Sequence, residues 1–94
     1  MRSLIWGKTF VRAFKRVIKK NPHLCPDIEE TLERLAENPY APLLATHKLK
    51  GKLSGLWACS AGYDLRIIFD FIKSENQTEE DILLLGIGTH DDVY

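Results

Sequence analysis

The chain has little that would staple it together or anchor it elsewhere. Its 94 residues hold only two cysteines, Cys25 and Cys59. They lie far apart and in no Cys-x-x-Cys or Cys/His ligand spacing, which excludes a disulfide framework and a zinc site and leaves both as reduced, partly buried thiols. No apolar run approaches the ~20 residues that cross a bilayer. The opening Met1-Arg2-Ser3-Leu4-Ile5-Trp6 lacks the long apolar stretch and small-residue cleavage site of a secretory leader, so the expected location is cytoplasmic. Repeats, low-complexity tracts and linkers are also missing. Residues 1–94 therefore read as a single domain, long enough for one two-layer core without a metal.

One sign of charge is absent from the start of the chain. The first twenty residues carry Arg2, Lys8, Arg12, Lys15, Arg16, Lys19 and Lys20 and no acid. Lys48, Lys50 and Lys52 add a second basic stretch, while acids gather at Asp27, Glu29, Glu30, Glu33 and Glu37 and again at Glu75, Glu79, Glu80 and Asp81. The formal net charge of zero hides this asymmetry. A polyanion feels the field of a basic face within a Debye length of ~8–10 Å, not the net charge, so a phosphate-rich partner and a merely solvated basic surface both fit. At 45% hydrophobic and 28% charged the composition is that of an ordinary globular protein.

Residues 2–6 are strand-like. From Lys8 to Lys20 the apolar positions Phe10, Val11, Phe14, Val17 and Ile18 share one helical face, and the Lys/Arg residues take the other. Asn21-Pro22 stops that helix. A second helix is expected from Pro26 to Glu37, with Asp27, Glu29 and Glu30 near its positive end and Ile28, Leu32, Leu35 and Ala36 as its inner stripe. The segment from Tyr40 to Lys48 reads as an irregular connection. Strands follow at Leu53–Ser60, Asp64–Ile72 and Ile82–Ile87, the last nearly continuous in apolar residues and hence interior. The polar stretch 74–79 reads as a hairpin loop. The sum is an α+β fold, with two N-terminal helices packed on one face of a small, mostly antiparallel four-stranded sheet.

Several residues are left over for chemistry. Arg66 interrupts an apolar strand and must meet either an acid, with Asp64 the near neighbour, or an anionic ligand whose oxygens match its planar fork. His90 has a reference pKa near ~6.5, suited to proton transfer. His47 stands in the basic loop. Tyr94 either packs on the sheet edge or stacks on a base.

Taken in order, the stretches His47-Lys48-Leu49-Lys50-Gly51, Gly55-Leu56-Trp57, Gly62-Tyr63-Asp64-Leu65-Arg66-Ile67-Ile68-Phe69 and Gly88-Thr89-His90 with terminal Tyr94 resemble the RelE/ParE superfamily of bacterial toxins. The YafQ-type branch is the most similar, and the resemblance covers essentially the whole chain. It implies the toxin half of a type II toxin–antitoxin pair: a ribosome-dependent mRNA endoribonuclease that needs no metal or other cofactor. In that family the ribose 2′-OH attacks the adjacent phosphodiester in the ribosomal A site and the 5′-oxygen leaves. By matching positions, the resemblance implies His90 as proton donor, Asp64 or His47 as base, Arg66 as stabiliser of phosphate charge and Tyr94 as the nucleotide-orienting aromatic. It implies an RNA- and ribosome-binding surface made of Lys48, Lys50, Lys52, Arg12, Lys15, Arg16 and Lys19. The implied partners are a cognate antitoxin, the ribosome and mRNA, with operator DNA reached only through the antitoxin.

One departure stands out. The YafQ pattern places a second histidine before the turn, and Ser60 or a close neighbour holds that place here. The site would then be slower, use Arg66 instead, or prefer other codons. Two alternatives share the fold: a ParE-like toxin directed at gyrase, and a catalytically silent homologue that only binds an antitoxin.

Overall fold

A computed structural model describes residues 2–62, 64–74 and 79–89. In chain order the elements are β1 (Leu4–Trp6), α1 (Lys8–Lys20), α2 (Cys25–Glu37), β2 (His47–Lys48), β3 (Trp57–Ser60), β4 (Leu65–Ile72) and β5 (Asp81–Thr89). Short 3-10 turns occur at Pro22–Leu24, Pro42–Leu44 and Gly51–Leu53.

α1 has the bounds that its periodicity predicts. Phe10 is fully buried, and Ala13, Phe14, Val17 and Ile18 pack against the core beside it. Trp6 meets the Phe10 and Phe14 rings edge-on at 5.1 and 5.3 Å between centroids, a favoured aromatic geometry. The strand-to-helix junction is tight at Gly7, whose N–H donates to Leu84 O at 3.1 Å. A Cβ there would lie 2.6 Å from that carbonyl oxygen. α2 begins one residue earlier than expected, at Cys25, with proline in its first turn. Its predicted stripe of Ile28, Leu32, Leu35 and Ala36 is buried throughout.

The sheet differs from expectation in number and in one pairing. It has five strands in the order β1-β5-β4-β3-β2. β1 runs parallel to β5, and the other neighbours are antiparallel. The unforeseen strand is β2, which is too short to show any periodicity. Pairing fixes it: His47 lies opposite Ala58 and Lys48 opposite Trp57, and Leu49 N–H donates to Leu56 O at 2.9 Å. β3 in turn starts at Trp57, not Leu53. Gly51 and Gly55 take φ of +71° and +96°, which breaks an extended run and folds residues 51–56 into turns. β5 is interior, as its apolar run predicts. A register shift at Ile68/Phe69 pairs Ile68 with Gly86 and Phe69 with Leu84, leaving Leu85 as the extra residue of a bulge.

Two apolar layers result. On the helix side, Phe10, Ile28, Leu35, Cys59, Ile67, Phe69, Ile82 and Leu84 are all fully buried. On the far side, Leu49, Ala58 and Ile68 form a smaller cluster with Leu53, Leu56 and Leu85. The 49–56 segment thus covers the middle of a face that the sequence leaves bare. The predicted polar loop at 74–79 is described only at its ends.

Candidate functional site

Strand alternation sets the site residues before any chemistry does. In β4, Leu65, Ile67 and Phe69 point toward the helices, so Arg66 points to the far face. It pairs with Ser60 on one side and Gly88 on the other. Arg66 is half-buried, and its Nη1 donates to Leu65 O at 3.0 Å. Among the described residues no carboxylate lies within ion-pair distance of it, the one ion pair there being Arg34–Glu30. The Asp64 partnership weighed from the sequence is therefore not formed. Asp64 precedes β4, in the bend after Gly62 with its φ of +115°, where alternation does not govern direction. It is exposed and lines a cleft on the helix side with Leu65 and Thr89.

Cys59 sits beside this charge but takes no part in it. Burial pushes its thiol up to about 12, although Arg66 pulls the other way. A neutral, buried thiol is neither nucleophile nor ligand.

His47, on β2, is exposed, and its pairing with Ala58 puts it on the same face as Arg66. The two are separated by two strand spacings and two residues along β3, which places their Cα atoms roughly 12 Å apart. Nδ1 of His47 lies 3.0 Å from Ala45 O. With the proton on Nδ1, Nε2 is left as the acceptor. Ser60 lies opposite Arg66, and its hydroxyl donates to Gly62 O at 3.0 Å. The structure thus brings Arg66, His47 and Ser60 to one face and leaves Asp64 off it.

The basic residues divide as well. Lys48 has its Nζ 5.9 Å from the Trp57 ring centroid, and Trp57 packs into the helix-side layer, so Lys48 turns away from His47. Lys50 and Lys52 are exposed around the Gly51–Leu53 turn. Arg12, Lys15, Arg16 and Lys19 are exposed on α1. Of these, Arg16 stands out because it borders two clefts together with Lys20, one turn on. The first, of about 570 Å³, lies on the helix side and also takes in His23, Asp27 and Asp64. The second, of about 430 Å³, runs between α1 and the 49–56 segment over Leu53, Leu56, Ile68, Leu85 and Gly86. Ile68 is two residues along β4 from Arg66 and on its face, so this groove and Arg66 share one side of the sheet. Lys20 and Thr9, whose hydroxyl donates to Leu85 O at 2.6 Å, are groove residues that sequence reasoning missed. Thr9, Ala13, Arg16 and Lys20 do fall at helical spacing on one stripe, and that signal was available.

His90 and Tyr94 lie outside the described residues; Thr89, paired with Leu65, is the last described position. Among the described residues no group of three or more His, Cys, Asp or Glu is placed to hold a metal ion. Nor is any helix there long and apolar enough to cross a membrane.

No protein-family model matches the chain, and no curated protein sequence matches it. Solved structures do. A metal-bound toxin from Helicobacter pylori is 26% identical with a TM-score of 0.72, over 100% of both chains. A chain of the Escherichia coli DinJ–YafQ toxin–antitoxin complex is 16% identical with a TM-score of 0.74, over 99% of this chain and 97% of that one. A YoeB/ParE toxin from Agrobacterium tumefaciens is 17% identical with a TM-score of 0.73, over 94% and 98%. The chain has the fold of RelE-type toxins, as its sequence motifs indicate.

Proposed function

We propose that the protein is the toxin of a toxin–antitoxin pair and acts as a ribosome-dependent endoribonuclease on mRNA. Fold alone does not carry an activity. The observation that carries this reading is Arg66: a half-buried arginine on the far sheet face, with no carboxylate within ion-pair distance among the described residues, two positions along β4 from Ile68, which lines a groove bordered by Arg16 and Lys20. An arginine so held suits a phosphodiester.

In the reaction, the base takes the proton of the ribose 2′-hydroxyl, and the 2′-oxygen attacks phosphorus. The bond to the 5′-oxygen breaks, and that oxygen takes a proton from the acid, leaving a cyclic phosphate. Arg66 stabilises the charge that builds on the phosphate oxygens, where a preformed donor is most effective. Of the two candidate bases, His47 shares the face of Arg66 and Asp64 does not, which favours His47. His90 and Tyr94 keep the roles of proton donor and stacking aromatic that the family pattern implies. Ser60, where the pattern has a histidine, faces Arg66 directly, which fits Arg66 serving in that histidine's place. Arg16, Lys20, Lys50 and Lys52 supply phosphate contacts that position RNA without reading its bases. The partner that silences the toxin is an antitoxin encoded with it.

The test is primer extension on messages from cells expressing the chain. Cuts within codons that Arg66→Ala and His47→Ala suppress support the reading. Intact messages together with an induced DNA-damage response would overturn it in favour of a gyrase-directed toxin.

A further inference from the structure

Residues 38–63 combine exposed aromatic surface with positive charge, on a side of the sheet that the nuclease reading leaves unused. From Asn38 to Tyr63 the chain has no Asp or Glu. On the helix side, the Trp57 and Phe71 rings meet edge-on at 5.4 Å between centroids. Tyr40 touches both, edge-on to Trp57 at 6.1 Å and stacked on Phe71 at 5.9 Å. It is 57% exposed; with one face of the ring turned to Phe71, the other is left open. The surrounding loop holds the ring in place. Tyr40 N–H donates to Asn38 Oδ1 at 3.1 Å, Ala41 N–H to Asn38 O at 3.1 Å, and the Thr46 hydroxyl to Pro39 O at 2.5 Å. An aromatic ordered beforehand loses little freedom when a ligand covers it.

Two lysines flank this cluster at the β2 edge. Lys48 pairs with Trp57 across β2 and β3, and its Nζ lies 5.9 Å from that ring. Lys50 continues the extended backbone, with φ −120° and ψ 171°, so alternation returns it to the face of Lys48, roughly 7 Å along. Both are exposed, and among the described residues neither has a carboxylate within ion-pair distance. At the other end of the cluster Arg2 lies over the Phe71 ring at 5.6 Å, but its Nη1 donates to Glu80 O at 2.8 Å. The lysines are thus the cations left for a ligand, and their spacing is comparable with that of successive phosphates in an extended strand.

We infer that Tyr40, Lys48 and Lys50 form an RNA contact on the face opposite Arg66: an unpaired base of ribosomal RNA stacks on Tyr40, and its flanking phosphates meet the two lysines. An aromatic ring stacks any base while cations track the backbone, so such a contact needs no particular sequence. Neither cleft described above reaches Tyr40. A protein side chain anchors best in a pocket, whereas a base needs only a flat ring. The sheet lies between Tyr40 and Arg66, so a message held at Arg66 would have to wrap the β2 edge to arrive; ribosomal RNA has no such constraint. The choice of the ribosome as partner rests on the nuclease reading; the stacking site does not.

The probe is a hexamer of 2′-O-methyluridine, which lacks the attacking hydroxyl and cannot be cut, titrated into the full chain while the Tyr40 ring and Trp57 indole resonances are followed. Saturable upfield shifts of the Tyr40 ring protons are expected. An abasic hexamer should bind about 5- to 150-fold more weakly, the range for one base stacked on an aromatic ring. Tyr40→Ala, followed at Trp57, should lose as much, while Tyr40→Phe, which keeps the ring, should bind as the parent does. Lys48→Gln/Lys50→Gln should reduce the log–log salt slope by about 1.4, near 0.7 for each phosphate. Co-sedimentation assigns the source: Tyr40→Ala should weaken binding to ribosomes with and without message alike. A loss confined to message-loaded ribosomes, an unshifted Tyr40 ring, equal binding of the abasic strand, or a dimer of the chain that buries Tyr40 would overturn the inference. A hexamer that fails at Tyr40 while Arg66-dependent cleavage persists sinks the stacking site alone. Messages left intact while the hexamer still binds at Tyr40 sink the nuclease reading alone.

Discussion

Arg66 was legible from the sequence because an arginine amid Leu65, Ile67, Ile68 and Phe69 has to be explained. Which group it meets was not legible. The Asp64 alternative assumed that strand alternation extends back through residue 64, whereas Gly62 ends it. If Arg66 serves phosphate, Arg66→Ala should lower the cleavage rate by about 10²–10³, the range for removing one charge-stabilising donor. Arg66→Lys should recover only part, since an ammonium does not reproduce the fork. Urea unfolding should change by under ~1 kcal/mol in both, as expected of a residue without a buried ion pair. Cys59 gives a second test at this scale. Its folded-state value of about 12 lies above the ordinary 9.0, so above pH 9 the unfolded chain loses this proton first. The stability it contributes is complete below that pH and is lost as pH rises toward 12, by on the order of 4 kcal/mol through linkage. Urea titrations across pH 9–12 should therefore show Cys59→Ala with a flatter decline than the parent, despite a lower starting stability.

At the scale of elements, the pattern of apolar residues located α1, α2, β4 and β5 to within a few residues, because each is long enough to repeat its period. β2 and the start of β3 were hidden for the opposite reason. A strand of two residues has no period, and the positive φ of Gly51 and Gly55 is chosen by the fold, not announced by composition. The close approach at Gly7 was equally silent, since it depends on where Leu84 comes to lie. It yields a sharp outcome: Gly7→Ala forces a methyl against a main-chain oxygen that has no rotamer to move, and should cost about 1–3 kcal/mol in urea unfolding, the usual range for overpacking. A result near zero would mean that β1 and β5 can separate locally.

For the molecule as a whole, the neutral total charge and the basic helix coexist because the acids sit on α2 and in the stretch around residue 80. The sequence showed that segregation, but not that Arg16 and Lys20 would border a groove on the sheet face that Arg66 shares; that required the third dimension. Binding to ribosomes or to RNA should weaken steeply with salt, and Arg16→Ala/Lys20→Ala should reduce the log–log slope by about 1–2, near 0.7–0.9 for each phosphate that is no longer neutralised. An unchanged slope would return both residues to the solvated surface.

The parallel pairing of Leu4–Trp6 with Ile82–Leu84 has a consequence in time as well as in space. β5 is the last described strand to be synthesised, yet it is the one that β1 and β4 both require, and α1 packs on it through Gly7 and Thr9. A nascent chain released only as far as residue 80 holds two helices and the β2–β3–β4 strands, without the strand that joins β4 to β1 and α1. Such chains, stalled on the ribosome, should be digested by protease at rates close to those of an unfolded control, and protection should appear only once residues 81–89 have emerged. A protein proposed to cut the message being translated would then gain its structure only once the strand that β1 and β4 share is free to pair.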